Sequence, residues 1–334
     1  MRAWAVTGHD EPGLLRLVER PVPEPGPGEV LVLVRACGVC RTDLHLAEHD
    51  LEAKAPGRVP GHEIVGEVVE AGPGVSDRPV GTRVGVAWLR STCGTCRWCR
   101  TGAENLCHEA VFTGWDADGG FAEYAVAPAA FTYPLPAGLA DLQAAPLLCA
   151  GIIGYRALCR ARVPDGGRLG LYGFGASAHL TAQVALARGV EVHILTRGAR
   201  ARRLAAELGA ASVGGARDAP PVPLDAAIVF APAGDLVPVA LAAVDQGGTV
   251  ALAGIHLTDI PAMSYADHLF REKCLTSVTA NTRVDGETLL RLAPALGVTA
   301  KVQRYPFAEA DRALEDLAAG RVTGVAVLDH SLGR

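Results

Sequence analysis

Apolar residues recur with two rhythms along this chain, and the change of rhythm divides it. In the first half, Pro21 to Gly28 forms a rigid proline-glycine loop leading into Glu29–Ala36, where valine and leucine run almost without a break, the pattern of a buried strand. Shorter strands are predicted at Ile64–Glu70 and Arg83–Trp88. From Arg168 the texture changes to short apolar strands alternating with alanine-rich helices. RLGLY is followed by SAHLTAQVALARG and VEVHIL, with later strands at Ala226–Ala231, Thr249–Ala253 and Leu275–Thr279. This alternation predicts an α/β, parallel, doubly wound sheet. Towards the C-terminus AEADRALEDLAAG reads as a helix and VTGVAVLD as a strand, and this tail is expected to return to the first domain.

A length of 334 residues suggests about two domains with an ample core. The hydrophobic fraction of 49% raises the membrane question. Arginines, aspartates, glycines and prolines interrupt every apolar stretch before the ~20 residues that a spanning helix needs, so no membrane partner is expected. A net charge of −5 with dispersed arginines leaves no basic tract, which argues against a nucleic-acid partner. The opening MRAWAVTGHDEPG lacks a basic n-region and an apolar h-region, so a reducing, cytoplasmic location is expected.

Four cysteines, Cys93, Cys96, Cys99 and Cys107, fall in the run CGTCRWCRTGAENLC. Four thiolates can surround Zn²⁺ tetrahedrally and satisfy it, which describes a closed structural site with no position for substrate. An iron–sulfur run would place its last cysteine closer and follow it with proline, whereas His108 follows Cys107. Disulfides fit a reducing compartment less well still.

Gly173, Gly175, Ala176 and Ser177 lie in GFGASA, just after a predicted strand and opening a predicted helix. In that context glycines allow a tight turn and close approach, and the helix N-terminus offers N–H groups to a dinucleotide pyrophosphate. A plain strand-to-helix turn also uses glycine, but the strand–helix alternation that follows favours the dinucleotide. The next strand ends at Thr196-Arg197, where an NAD-specific domain usually presents Asp or Glu to the ribose 2′-hydroxyl. A hydroxyl and a guanidinium, with Arg200 as a second cation, suit a 2′-phosphate instead, so NADP(H) is favoured over NAD(H).

A second zinc site can be assembled from scattered residues: Cys40 in RACGVCRTDLH, His62-Glu63 in VPGHEIVGE and Cys149 in LLCAGIIGY. Two thiolates and an imidazole would leave one position open, as catalytic zinc requires. Each residue alone has a duller explanation. Cys37 and Cys40 could form a dithiol redox pair, Cys149 could be a core residue, and His62 a satisfied turn histidine.

With these motifs in this order, the chain resembles the zinc-containing alcohol dehydrogenases of the medium-chain dehydrogenase/reductase superfamily, over essentially its whole length. The resemblance implies a discontinuous GroES-like β-rich catalytic domain, residues 1–150 and 290–334 with a zinc lobe at 91–109, and a Rossmann domain over 151–289, the active site lying in the cleft between them. It makes Cys40, His62 and Cys149 catalytic zinc ligands, Glu63 a near neighbour of the metal, and Asp43 the partner that orients His62. Two zinc ions per chain follow. Cys37, Cys159 and Cys274 are left to pack in cores.

The implied chemistry is reversible hydride transfer between a small alcohol or aldehyde, its oxygen on zinc, and C4 of the nicotinamide. A proton relay falls on Thr42 and His45, whose duller readings are a helix cap and an exposed helix position. Arg41 matches a cation placed against the pyrophosphate, and Ile153, Gly254 and Ile255 fall at cofactor-binding positions. Leu51, Trp88 and Ile153 would line an apolar pocket, suited to aliphatic or aromatic substrates rather than polyols. A homodimer or homotetramer is expected by analogy. The competing readings are a polyol dehydrogenase, a zinc-free quinone reductase with no use for the three ligands, and a catalytically silent NADPH-binding or redox-sensing module.

Overall fold

A computed structural model describes residues 1–332 of the chain. It divides into two compact units, residues 1–149, 280–294 and 299–334 in the first, and 150–279 with 295–298 in the second.

The first unit is built on a long strand, Glu29–Val39, with its valines at 30, 32 and 34 fully buried. Ile64–Ala71 pairs with it on one side and Val325–Asp329 on the other, both antiparallel, so the C-terminal tail does return to this unit. Val302–Pro306, Arg83–Val86 and Thr132–Pro134 extend the sheet, and Tyr124–Pro128 also pairs with the long strand. The strand predicted at Arg83–Trp88 stops at Val86, so Trp88 lies in the turn before the short strand Leu89–Ser91. The long strand runs on past its predicted end at Ala36 to Val39, delivering Cys40 to the start of the Arg41–Ala47 helix.

The second unit is a six-stranded parallel sheet. Its spatial order is Ser212–Gly214, Glu191–Leu195, Arg168–Tyr172, Leu224–Val229, Val244–Leu252 and Cys274–Ser277. Numbered along the chain this is the order 3-2-1-4-5-6, and the direction of winding reverses between the first and fourth strands. Gly173 follows the first strand directly, at the carboxyl end of the sheet where ligand crevices form.

Two expectations need correction. Residues 280–289 belong with the first unit and 295–298 with the second, whereas the expected border at residue 290 put each in the other. A helix, Arg283–Ala295, covers this stretch; its Arg283 grips Glu104 in the zinc lobe, and Gly286 sits where a Cβ would meet the Tyr133 ring at 2.5 Å. Gly286 and Pro294 within it read as breakers, which hid the helix in the sequence.

Apolar length also exceeds what the sequence suggested. Asp141–Ala161 forms 21 continuous helical residues, long and apolar enough to cross a membrane by length and composition. Its apolar side chains are spent on the interior: Ala144, Ala145, Leu147, Leu148, Ile152 and Leu158 are all buried. At the middle of this stretch five residues, Leu147–Gly151, adopt a π-helix, and Cys149 is among them. Such widened turns recur at functional positions because they re-aim one side chain.

Candidate active site and metal centres

Cys40 is the N-cap of the 41–47 helix. Its Sγ accepts the Thr42 N–H at 3.5 Å, while the Asp43 carboxylate accepts the Cys40 N–H at 2.9 Å. The capping residue is thus Cys40, and Thr42, read from the sequence as a cap, instead puts its hydroxyl 3.7 Å from the Cys40 sulfur. Asp43 does more than close the helix. Its other oxygen accepts the Gly61 N–H at 2.9 Å and lies 3.2 Å from His62 Nδ1, which turns Nε2 towards Cys149 Sγ at 3.4 Å. A carboxylate behind an imidazole fixes its tautomer and orientation, the arrangement usual behind metal-bound histidine.

Cys40, His62, Glu63 and Cys149 bring their ligand atoms within 4.8 Å of one another. With Zn–S near 2.3 Å and tetrahedral angles, two sulfurs on one ion stand about 3.8 Å apart. The Cys40 and Cys149 sulfurs are 3.8 Å apart. The three scattered residues therefore converge, and the Glu63 carboxylate joins them where a three-ligand reading leaves a position open. Room for it comes from Gly38, where any Cβ would overlap the Glu63 carboxylate. Sequence reasoning missed Gly38, because the contact spans strands brought together only by folding.

The electrostatics of this pocket suit a cation. Asp43, His62 and Glu63 are each 1–2% exposed, and one Glu63 oxygen, Oε2, has no hydrogen-bond partner among the described residues. Burial, reinforced by charge on Cys40, holds the Glu63 carboxyl well above the usual carboxylate range. The Cys149 sulfur, sharing a hydrogen bond with Cys40, pushes the Cys40 thiol well below its ordinary value and is itself pushed up. Burial would lower His62, but the Asp43 carboxylate outweighs it and raises the imidazole. Acids that cling to protons in a dry pocket release them when a divalent cation arrives, so the donor set fits Zn²⁺.

In the lobe, Cys93, Cys96, Cys99 and Cys107 likewise converge, with sulfur separations of 3.5 Å for Cys96–Cys99 and Cys93–Cys107 and 4.0 Å for Cys93–Cys99. Backbone N–H groups of Thr95 and Cys96 and the Thr95 hydroxyl pull the Cys93 thiol down to about 6. This set also fits a tetrahedral thiophilic ion, its four sulfurs supplying all four corners. No disulfide joins any of the nine cysteines. Cys37 is fully buried and its thiol is raised by burial, which removes the nucleophilic thiolate a redox pair with Cys40 would need. Cys159 and Cys274, expected in cores, are exposed instead: one lies on the outer face of its helix and the other begins an edge strand.

An aromatic stack extends from the metal set. Trp88 meets His62 edge-on at 5.0 Å and stacks on Phe112 and Trp115 at 5.0 and 6.1 Å between ring centres. The Trp115 indole donates to the Glu52 carbonyl at 2.8 Å, and Lys54 lies 4.6 Å over its ring. Trp88 was anticipated as a wall; Phe112 and Trp115 were not. Leu51 is half-buried and donates its N–H to the His45 carbonyl at 3.0 Å. His45 is also less open than expected, 20% exposed and paired through Nδ1 with Asp50. Arg41 is exposed at the head of its helix.

In the second unit, Gly173 has φ +88°, the left-handed region, and a Cβ there would strike Ala231. Gly175 caps the Ala176–Ala187 helix without a side-chain bond, and a Cβ on it would meet open space. A helix N-terminus with Ala176 and Ser177 in its first turn and clear space in front fits a pyrophosphate. Thr196 is buried at the end of its strand, while Arg197 and Arg200 are exposed around the start of the Ala199–Glu207 helix. Arg202 donates to the Thr196 and Arg197 carbonyls at 3.0 and 2.9 Å, fixing that turn. Ile153 is half-buried, and Gly254 and exposed Ile255 follow the fifth strand at its carboxyl end.

Residues 26–137 match the family model of the alcohol dehydrogenase GroES-like domain. The chain is 58% identical to a Mycobacterium tuberculosis protein named "Probable alcohol dehydrogenase AdhA", covering 98% of this chain and 97% of that one. Among solved structures, a cobalt- and zinc-bound thermostable alcohol dehydrogenase from Pyrobaculum aerophilum is 30% identical, with a TM-score of 0.88 and coverage of 98% and 99%. Acetophenone reductase from Geotrichum candidum, in complex with NAD, is 27% identical, with a TM-score of 0.87 and coverage of 98% and 96%. On these matches and this ligand geometry, the chain is an oxidoreductase and belongs to the zinc-containing alcohol dehydrogenases of the medium-chain dehydrogenase/reductase superfamily.

Proposed function

We propose that this protein reversibly transfers hydride between an apolar primary or secondary alcohol, or the matching carbonyl compound, and NADP(H). One zinc would be held by Cys40, His62 and Cys149, and a structural zinc by Cys93, Cys96, Cys99 and Cys107. The observation that carries the reading is the convergence of two half-buried cysteine sulfurs, a buried, carboxylate-oriented imidazole and the buried Glu63 carboxylate, all within 4.8 Å of one another. A zinc held there supplies Lewis acidity towards the substrate oxygen, and the nicotinamide supplies or accepts the hydride.

The chain's own residues do the rest. Asp43 holds the His62 ring, so that the donor set is organised before any ion binds. Thr42, beside the Cys40 sulfur, and His45, on the same short helix, carry away the proton that alcohol oxidation releases. Trp88, backed by Phe112 and Trp115, offers apolar surface, which favours aromatic and aliphatic substrates over polyols whose hydroxyls would go unpaired. Gly173, Gly175, Ala176 and Ser177 receive the pyrophosphate, Gly254 and Ile255 border the nicotinamide half, and Arg41 adds a cation. Arg197 and Arg200, with no acid at the end of the second strand, read the 2′-phosphate.

A cytoplasmic setting keeps the nine cysteines reduced and able to hold metal. The edge strand Cys274–Ser277 is paired on one side only among the described residues, and Tyr265 and Phe270 in the segment before it are 66% and 65% exposed, which supports a homodimer or homotetramer.

The test is reduction of benzaldehyde and of a medium-chain aldehyde by zinc-replete protein with NADPH or NADH in parallel. A higher kcat/KM with NADPH is the expected result. Faster turnover with NADH overturns the role of Arg197 and Arg200, and no turnover with either overturns the activity.

A further inference from the structure

The 41–47 helix closes at Glu48, and His49 then adopts a left-handed backbone, φ 63°. This turns the chain back over the helix it has just left. Two contacts hold the turn: the Leu51 N–H donates to the His45 carbonyl at 3.0 Å, and the His49 ring stacks on His9 at 3.9 Å between centres. The consequence is a contact that helical spacing would not provide, since neighbours on a helix face stand three or four residues apart. Asp50, five residues on, places Oδ2 3.0 Å from His45 Nδ1.

Stability is a poor explanation for this pair. Asp50 is 57% exposed, and ion pairs in such surroundings contribute little to folding. A non-glycine residue in the left-handed region and a stacked ring pair are spent on holding the turn that delivers it. A carboxylate on Nδ1 has a chemical effect that water does not reproduce. It fixes the tautomer so that Nε2 is the proton acceptor, and it stabilises the imidazolium that forms when that proton arrives.

We propose that Asp50 is the positioning residue for His45 in the proton path, a proposal that rests on the relay reading of Thr42 and His45. The proton released as the alcohol is oxidised is taken by His45 Nε2. Asp50, accepting Nδ1–H throughout, holds the resulting imidazolium until Nε2 gives its proton to bulk water, which restores the neutral ring. Glu48 is a second carboxylate with an oxygen within 4.8 Å of the pair, which makes it the control for charge alone.

The test compares Asp50→Asn, Asp50→Glu, Glu48→Gln, His45→Gln and the double variant Asp50→Asn/His45→Gln as full-length zinc-replete enzymes in alcohol oxidation. Asp50→Asn is expected to lower kcat about tenfold with KM unchanged and to enlarge the solvent deuterium isotope effect. Asp50→Glu should restore part of the rate. Glu48→Gln removes the same charge and should leave kcat within about twofold. In the His45→Gln background, Asp50→Asn should add nothing. If His45→Gln slows the enzyme and Asp50→Asn does not, or if the two losses multiply, the role of Asp50 is overturned while the relay stands. If His45→Gln itself leaves kcat unchanged, the relay reading falls and the role of Asp50 falls with it.

Discussion

A single methyl group on Gly38 would collide with the Glu63 carboxylate, and Asp43 spends its two oxygens on three different groups around the same pocket. At the residue scale, then, the site depends as much on the neighbours that make room and aim as on the ligands themselves. Asp43→Asn keeps the volume but removes the charge behind His62, and should weaken zinc binding at this site by 10- to 100-fold, measured by competition with a chromogenic chelator. Unchanged affinity would mean that His62 is aimed by packing alone. Gly38→Ala should destabilise the fold by about 1–3 kcal/mol, read by urea denaturation, because the overlapping carboxylate cannot move without leaving its buried place. The cysteines and the Gly-His-Glu run were legible in the sequence because metal chemistry restricts both residue type and spacing. Gly38, Phe112, Trp115 and Asp50 were not, since their roles arise from contacts across strands or from a turn whose hand no local pattern announces.

Elements position these residues through their ends and irregularities. Cys40 stands where a strand becomes a helix, Cys149 in a π-helical turn, and Gly173 where a strand passes into a glycine-containing turn. Periodicity in the sequence located the strands well, because a buried strand must be apolar along its length. It missed the Arg283–Ala295 helix, where Gly286 and Pro294 interrupt the pattern although Leu289, Leu290 and Ala293 are buried; at its start Arg283 makes a forked pair with Glu104, at 3.0 Å from Nε and 2.7 Å from Nη2. Burial would raise the Glu104 carboxyl, but Arg283 outweighs it and holds it below the usual range. A carboxylate depressed in the native state adds stability above its unfolded value and loses that contribution as pH falls through the native one. Glu104→Gln should therefore cost about 2 kcal/mol at neutral pH. The gap to the wild type should narrow as pH drops below about 4.3, followed by chemical denaturation at each pH. A gap that stays constant on acidification would show that the pair contributes packing rather than charge.

The whole molecule assigns its tasks to different units. The first unit holds both clusters of side chains that could bind a metal, and the second carries the parallel sheet, the glycine turn and the arginines beside its second strand. Strand–helix alternation made the second unit legible almost strand by strand. The border at residue 280 was less so, because it is decided by which surface the 283–295 helix grips, a property of the folded chain. One of the two metal sets is proposed as the seat of catalysis, and the other as a pin for the lobe. The most direct test is elemental analysis of the purified wild type and of Cys149→Ser, alongside their rates of benzaldehyde reduction with NADPH. About two zinc ions per chain are expected in the wild type, and about one, with activity lost, in the variant. A wild type holding about one zinc, with Cys149→Ser matching it in both metal and rate, would contradict this assignment.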